Sequence, residues 1–155
     1  MGRQAQRALI VKALRTGIET NTQIRENQVQ FNLLACPQYP ELAPDMVVLN
    51  NDRGDTGFII VDTPLRLAPA DVVTWATDNN GLGVITGDGN LAVGQAYAAA
   101  FYPSCKTTDL SGNLVVTAPS HMMVRTIIRS DAVSYPWFAP AGLRRGVVDL
   151  SLIHI

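Results

Sequence analysis

The chain has 155 residues, of which 47% are hydrophobic and 16% charged, and its formal net charge is -1. That balance excludes a disordered or supercharged segment and gives enough apolar material for one domain with its own core. The twelve Lys and Arg are scattered apart from Arg144-Arg145, so no basic stripe points to a nucleic-acid partner.

Residues 1–7 carry charge but lead into no apolar signal region, and no run of about eighteen apolar residues marks a membrane span. No membrane partner is expected, and synthesis in the cytoplasm is. Residues 4–21 place Ala5, Leu9, Ile10, Ala13, Leu14 and Ile18 at the spacing of an amphipathic helix, weakened at its end by Gly17. Residues 29–35 form an apolar run closed by Cys36-Pro37 and a proline-rich turn reaching Pro44, which predicts a strand and then a loop. One or two helical turns are expected over 45–51.

Residues 57–62 are apolar and β-branched and end at Thr63-Pro64, the pattern of a buried strand. Pro69 suits the first turn of a helix, with Val72, Val73, Trp75 and Ala76 on an apolar face and Asn79-Asn80-Gly81 as its stop. Residues 97–102 predict a strand despite their alanines, and 114–117 another, expected in one sheet with 58–62. Pro119-Ser120 opens a helix over 121–130, with Ser120 as N-cap and Met122, Val124, Ile127 and Ile128 available for burial. The alternation of strands and helices predicts an α/β class, a layered and largely parallel sheet with helices.

The motifs that could carry chemistry are thin. Cys36 and Cys105 belong to no metal or redox pair and read as buried thiols. Arg53-Gly54-Asp55 spells an adhesion tripeptide, but beside Asn51-Asp52 it reads as a turn. Glycines over 81–90 lack a phosphate-binding pattern and read as a loop, while a small-ligand site there is a third alternative. Asp52, Asp55, Asp62 and Asp88 lack the spacing of a calcium loop. Ser120 and His121 with a distant aspartate sketch an α/β hydrolase alternative, although neighbours at a helix start point in different directions and no nucleophile elbow is present. No cofactor or metal is expected.

The segment 133–146 holds two prolines, two glycines and three aromatics, so an ordered loop without a helix is expected, with its rings packed inward. Candidate packing or interface residues are Trp137, Phe138, Arg144 and Arg145. If Trp137 is a buried anchor, its replacement by Ala should cost about 3–5 kcal/mol. Leu150-Ser151-Leu152-Ile153-His154-Ile155 is what CTG TCT CTT ATA CAC ATC encodes, and it resembles the end of a transposon-derived sequencing adapter. Residues 150–155 are therefore read as adapter read-through, with the natural frame cut after about Asp149.

Residues 118–131 (APSHMMVRTIIRSD), followed by Tyr135-Pro136-Trp137-Phe138-Ala139-Pro140-Ala141-Gly142 and Arg145-Gly146, resemble the tail sheath family of contractile phage tails and related injection machines. A proline-serine turn, a helix ending in Asp and a Trp-x-Ala-Pro-Ala-Gly loop occur there in this order. Residues 31–37 and 58–64 are similar to sheath sequence too, so the resemblance spans most of 29–146. It implies a partial subtilisin-like sheath core over 1–132 and the start of a C-terminal sheath domain over 133–149. It also implies a non-enzymatic structural subunit located in the virion tail, a homo-oligomer when complete, with other sheath subunits and the tail tube protein as partners. Subunits of that family exchange arms by strand addition and contract as linked bodies.

Overall fold

The computed structural model describes residues 2–26, 29–77 and 96–148. Helix α1 (Gly2–Thr20) begins two residues before the predicted stripe and ends where the Asn21 side chain accepts the Gln23 and Ile24 amides in a tight turn. Strand β1 (Leu33–Ala35) is shorter than the apolar run that predicted it. A 3-10 turn over Pro40–Leu42 then runs directly into α2 (Ala43–Asp52). The expected proline-rich loop up to Pro44 is thus largely helical, because Pro40 and Pro44 occupy first-turn positions where no amide donor is needed.

Strand β2 (Phe58–Asp62) is the centre of the molecule, with Ile59, Ile60, Val61 and Asp62 all buried. It pairs in parallel with β1 on one side and with β3 (Ala98–Phe101) on the other. A strand flanked on both edges and covered on its faces needs a continuous apolar run, which is what its sequence supplies. Helix α3 (Pro69–Thr77) follows β2 as expected and buries Trp75. The main core gathers Leu34, Ala43, Met46, Leu49, Ile59 and Val61 between α2 and the sheet.

The expectation that 114–117 joins this sheet is wrong. Strand β5 (Leu114–Thr117) pairs antiparallel with β4 (Cys105–Thr108), which the sequence reading missed, in a separate two-stranded ribbon. Leu114 is 67% exposed, so β5 is not a buried strand either. The turn explains the register: the Asp109 carboxylate accepts the Ser111 and Asn113 amides and the Asn113 side chain, and Gly112 takes φ +83°. These bonds, from Asn113 above all, hold the Asp109 carboxyl below the usual range.

Helix α4 (Pro119–Val133) packs across β1, β2 and β3, and α5 (Gly142–Arg145) is a single turn. The face α4 buries is Met122, Thr126 and Ser130, not the expected Ile127 and Ile128; Ile128 is 58% exposed. Met122, Thr126 and Ser130 are spaced by four, one turn apart, and set the stripe.

The link from α2 to β2 turns on Asn50 and Gly57. Asn50, fully enclosed, accepts the Gly57 amide at 2.9 Å and donates to the Gly57 carbonyl at 3.0 Å. A Cβ on Gly57 would fall 2.4 Å from Leu34 Cδ1 and 3.0 Å from Asn50 Oδ1. Gly57→Ala is therefore expected to destabilise by about 1–3 kcal/mol through overpacking, read as a lower urea midpoint at unchanged slope.

Candidate functional site

Two places in the fold gather the residues that the sequence singled out. The first is the corner where the C-terminal end of β2 meets the N-terminus of α4, a position at which open α/β sheets commonly place functional groups. Pro119 takes the first helical position, where its fixed φ fits and its missing donor is harmless, and this forces Ala118 into an extended conformation. Ala118, not Ser120, is thus the N-cap residue, and it offers no side-chain cap. That corrects the expected role of Ser120.

The cap comes instead from the sheet. Asp62 Oδ1 accepts the Ser120 amide at 2.6 Å, and Asp62 Oδ2 accepts Ser120 Oγ at 2.8 Å and the Gln38 amide at 2.8 Å. Both side chains are shut off from solvent: Asp62 is 1% exposed and Ser120 0%. One buried carboxylate thereby ties the sheet centre to the helix start and to the turn after β1. Its negative charge at a helix N-terminus is also favoured by the aligned peptide dipoles. The same charge acts on Cys36. Burial first, then Asp62 and Glu41, push the Cys36 thiol above its ordinary value.

Cys36 and Cys105 are unpaired and half-buried rather than fully buried. Cys36 is expected to stay protonated and to alkylate more slowly with iodoacetamide at neutral pH than an exposed thiol does, as peptide mapping after timed labelling will read. The raised value also means that this thiol supports folding fully below its ordinary range and less as pH rises through the folded one.

This corner does not assemble a nucleophile. Ser120 Oγ is spent on a buried carboxylate with no access for a substrate, and His121 is exposed. A groove of about 640 Å³ runs along α4 past Ala35, Pro37, His121, Met122, Val124 and Ile128, and Ser120 borders it without exposed surface. Asp52 pairs with Arg25 and Asp55 sits in the turn after α2. Asp88 and the glycines of 81–90 lie outside the described residues. Among the described residues no three His, Cys, Asp or Glu converge to hold a metal ion.

The Arg53-Gly54-Asp55 tripeptide is a turn, as expected, with Gly54 at φ +72° and Asp55 at φ +58°. Arg53 is only 7% exposed and cannot serve as an adhesion contact. Its guanidinium donates to the carbonyls of Ile24, Glu26 and Val29 and stacks 3.9 Å from the Phe31 ring centre. Sequence reasoning missed this role. Long-range carbonyl partners leave no local pattern to find.

The second place is the segment after α4. The expected inward-packed anchor is not there: Trp137 is 75% exposed, Tyr135 62% and Phe138 41%. The rings pack on one another instead. Tyr135 and Trp137 stack with centroids 4.6 Å apart and planes 5° apart, and Phe138 lies 6.2 and 6.4 Å from them. Arg145 sits 4.6 Å from the Phe138 ring centre and reaches Ser134 Oγ at 3.4 Å, while Arg144 is exposed. The expectation of a segment without helix also fails, since α5 begins at Gly142, whose φ of +75° makes the reversal that starts it.

Trp137→Ala is accordingly expected to cost no more than about 1 kcal/mol, the worth of a stacked surface ring, in place of the larger loss a buried anchor would give. Chemical denaturation of the two proteins side by side will distinguish these values.

Among the described residues no helix is long and apolar enough to cross a membrane. No protein-family model matches the chain, and comparison with curated proteins and with solved structures finds no match. The fold mixes helices with a small parallel sheet and a two-stranded antiparallel ribbon, an arrangement compatible with the α/β class.

Proposed function

We propose that the chain is a structural subunit of a contractile tail sheath, with a subtilisin-like sheath core over 1–132 and the start of a C-terminal sheath domain over 133–149. The observation that carries this reading is the exposed ring cluster. Tyr135, Trp137 and Phe138 stand in the segment most specific to the sheath resemblance, with most of the Tyr135 and Trp137 surface and part of the Phe138 surface open to solvent. Grouped surface aromatics mark contact surfaces, because large rings contribute most to an interface once water is excluded from them. Arg145 fixes Phe138 in place, and Arg144 adds a charge at the rim.

The partners on this reading are other sheath subunits and the tail tube protein, in the tail of a virion assembled in the host cytoplasm. Contraction is then a rigid-body rearrangement of linked subunits. The buried Asp62–Ser120 pair supports an architectural role for that corner, and the alternative of an α/β hydrolase has no accessible nucleophile at Ser120 to build on.

Electron microscopy is the test. The complete reading frame, co-expressed with a tail tube protein, should give long tubes, and Trp137→Ala should fold normally yet lose them. Residues 1–149 alone should stay monomeric or aggregate, because strand edges and apolar surface would lack partners. Absence of tubes from the complete frame in every condition tried would overturn the sheath reading. Ester hydrolysis abolished by Ser120→Ala would favour the hydrolase.

A further inference from the structure

Helix α1 is attached to the body in an unusual way. None of its 19 residues is buried. Leu9 is 69% exposed, and Ile10 and Leu14 retain more than a third of their surface. Beneath the helix lies an apolar hollow of about 360 Å³, walled by Leu14, Ile18, Phe31, Leu42, Met46 and Leu49 among others. Of α1, only Ile18 packs partly against the core.

Charge holds what apolar burial does not. Arg7 makes a forked pair with Glu41, at 2.7 and 2.9 Å, and donates to the Gln38 carbonyl at 2.7 Å. Two turns further on, Arg15 pairs with Asp45 at 2.9 Å and reaches the Glu41 carbonyl at 3.4 Å. The two carboxylates are largely covered, but the arginine side chains keep 43% and 33% of their surface open to solvent. The connection after α1 is anchored separately: Arg53 binds the carbonyls of Ile24, Glu26 and Val29, and Arg25 pairs with Asp52.

We infer that α1 is a salt-releasable strap, a helix that closes over an apolar hollow through the Arg7–Glu41 and Arg15–Asp45 pairs and lifts as a unit about the turn at 21–26. The inference is independent of the sheath reading. Salt acts on these pairs through their solvent-facing arginines, because the screening length falls from about 10 Å at 0.1 M to about 3 Å at 1 M and dissolved ions compete for each partner once a pair opens. Apolar burial, which holds β2 and the main core, is not weakened by such ions. A lifted α1 loses the tertiary packing from which helices in proteins take most of their stability, so its amides open to solvent once it leaves the surface.

Hydrogen exchange read by mass spectrometry at about 0.05 M and about 1 M KCl tests this. Amides over 8–20 should lose protection roughly tenfold at the higher salt, while those of β2 and α4 stay unchanged. The double variant Arg7→Gln, Arg15→Gln should show the high-salt pattern already at low salt and respond little to added KCl. Salt-independent protection of α1 in the unaltered protein would overturn the inference. So would loss of α1 protection in step with β2 and α4, or a double variant that fails to fold, since the pairs would then hold up the whole domain and not a strap.

Discussion

Asp62→Ala is expected to lower the unfolding free energy by about 3–5 kcal/mol, a drop of roughly 10 °C in Tm for a chain of this size. Among the described residues the carboxylate is the sole acceptor for three donors, and two of them, the Ser120 amide and hydroxyl, are sealed from water. Each buried donor left without an acceptor costs about 1–3 kcal/mol, and the helix start loses a charge complement. Relief from desolvating the carboxylate offsets part of this, which keeps the estimate below the simple sum. Asp62→Asn should be milder, at about 1–3 kcal/mol, because one carbonyl oxygen can still serve the Ser120 amide while the Gln38 amide meets a donor. Ser120→Ala should cost about 1–2 kcal/mol, leaving the carboxylate two of its three donors. Urea unfolding of the three variants will give this order at constant slope. An Asp62→Ala protein within about 0.5 kcal/mol of the parent would show that the corner is held by apolar packing alone.

What could be read from the sequence tracks how local each determinant is. The strand 58–62 and the helices expected over 4–21, from Pro69 and over 121–130 announce themselves by periodicity and by proline placement, and all are found, with the bounds of the first and last shifted to Gly2–Thr20 and Pro119–Val133. Strand β4 was missed because Cys105-Lys106-Thr107-Thr108 is short and mostly polar, yet its alternating exposure and the Asp109 to Gly112 turn before a β-branched run are a hairpin signal in hindsight. The pairing of 114–117 went wrong for a different reason. A β-branched run fixes a strand but not its partner, and here a five-residue turn made the nearest neighbour win. The buried role of Asp62 is not legible in the sequence, because its partner Ser120 lies 58 residues away.

The aromatic segment shows the limit on the functional side. Tyr135, Trp137 and Phe138 have the composition of a core anchor, and composition cannot distinguish a ring buried in its own domain from one that stays open. Stacking at 4.6 Å between Tyr135 and Trp137 gives these rings apolar contact without an interior, so the segment stays ordered while its outer surface is exposed. The difference matters for experiment, because a substitution there should leave folding almost untouched and, on the proposed sheath reading, act on association.

Arg53→Ala is the second change expected to be severe, at about 2–4 kcal/mol. The guanidinium donates to three carbonyls across the connection between α1 and β1, at 2.7, 3.0 and 3.0 Å, and covers one face of Phe31. No shorter or rounder side chain can reproduce that fork, because the three acceptors lie on separate residues of one loop and need donors spread across a plane. Removing it leaves three of the loop's carbonyls without this donor and uncovers Phe31, which packs at the edge of the main core. Water can reach some of the freed carbonyls, which is why the loss is placed below that of a fully buried ion. Arg53→Lys separates charge from geometry: the ammonium keeps the charge but not the planar fork, so it should recover less than half of the lost stability. Urea midpoints of both variants decide the matter. Full recovery by Lys would mean that a positive charge alone holds the loop, and an unaffected Ala variant would mean that the loop is held by Phe31 and Ile24 without Arg53.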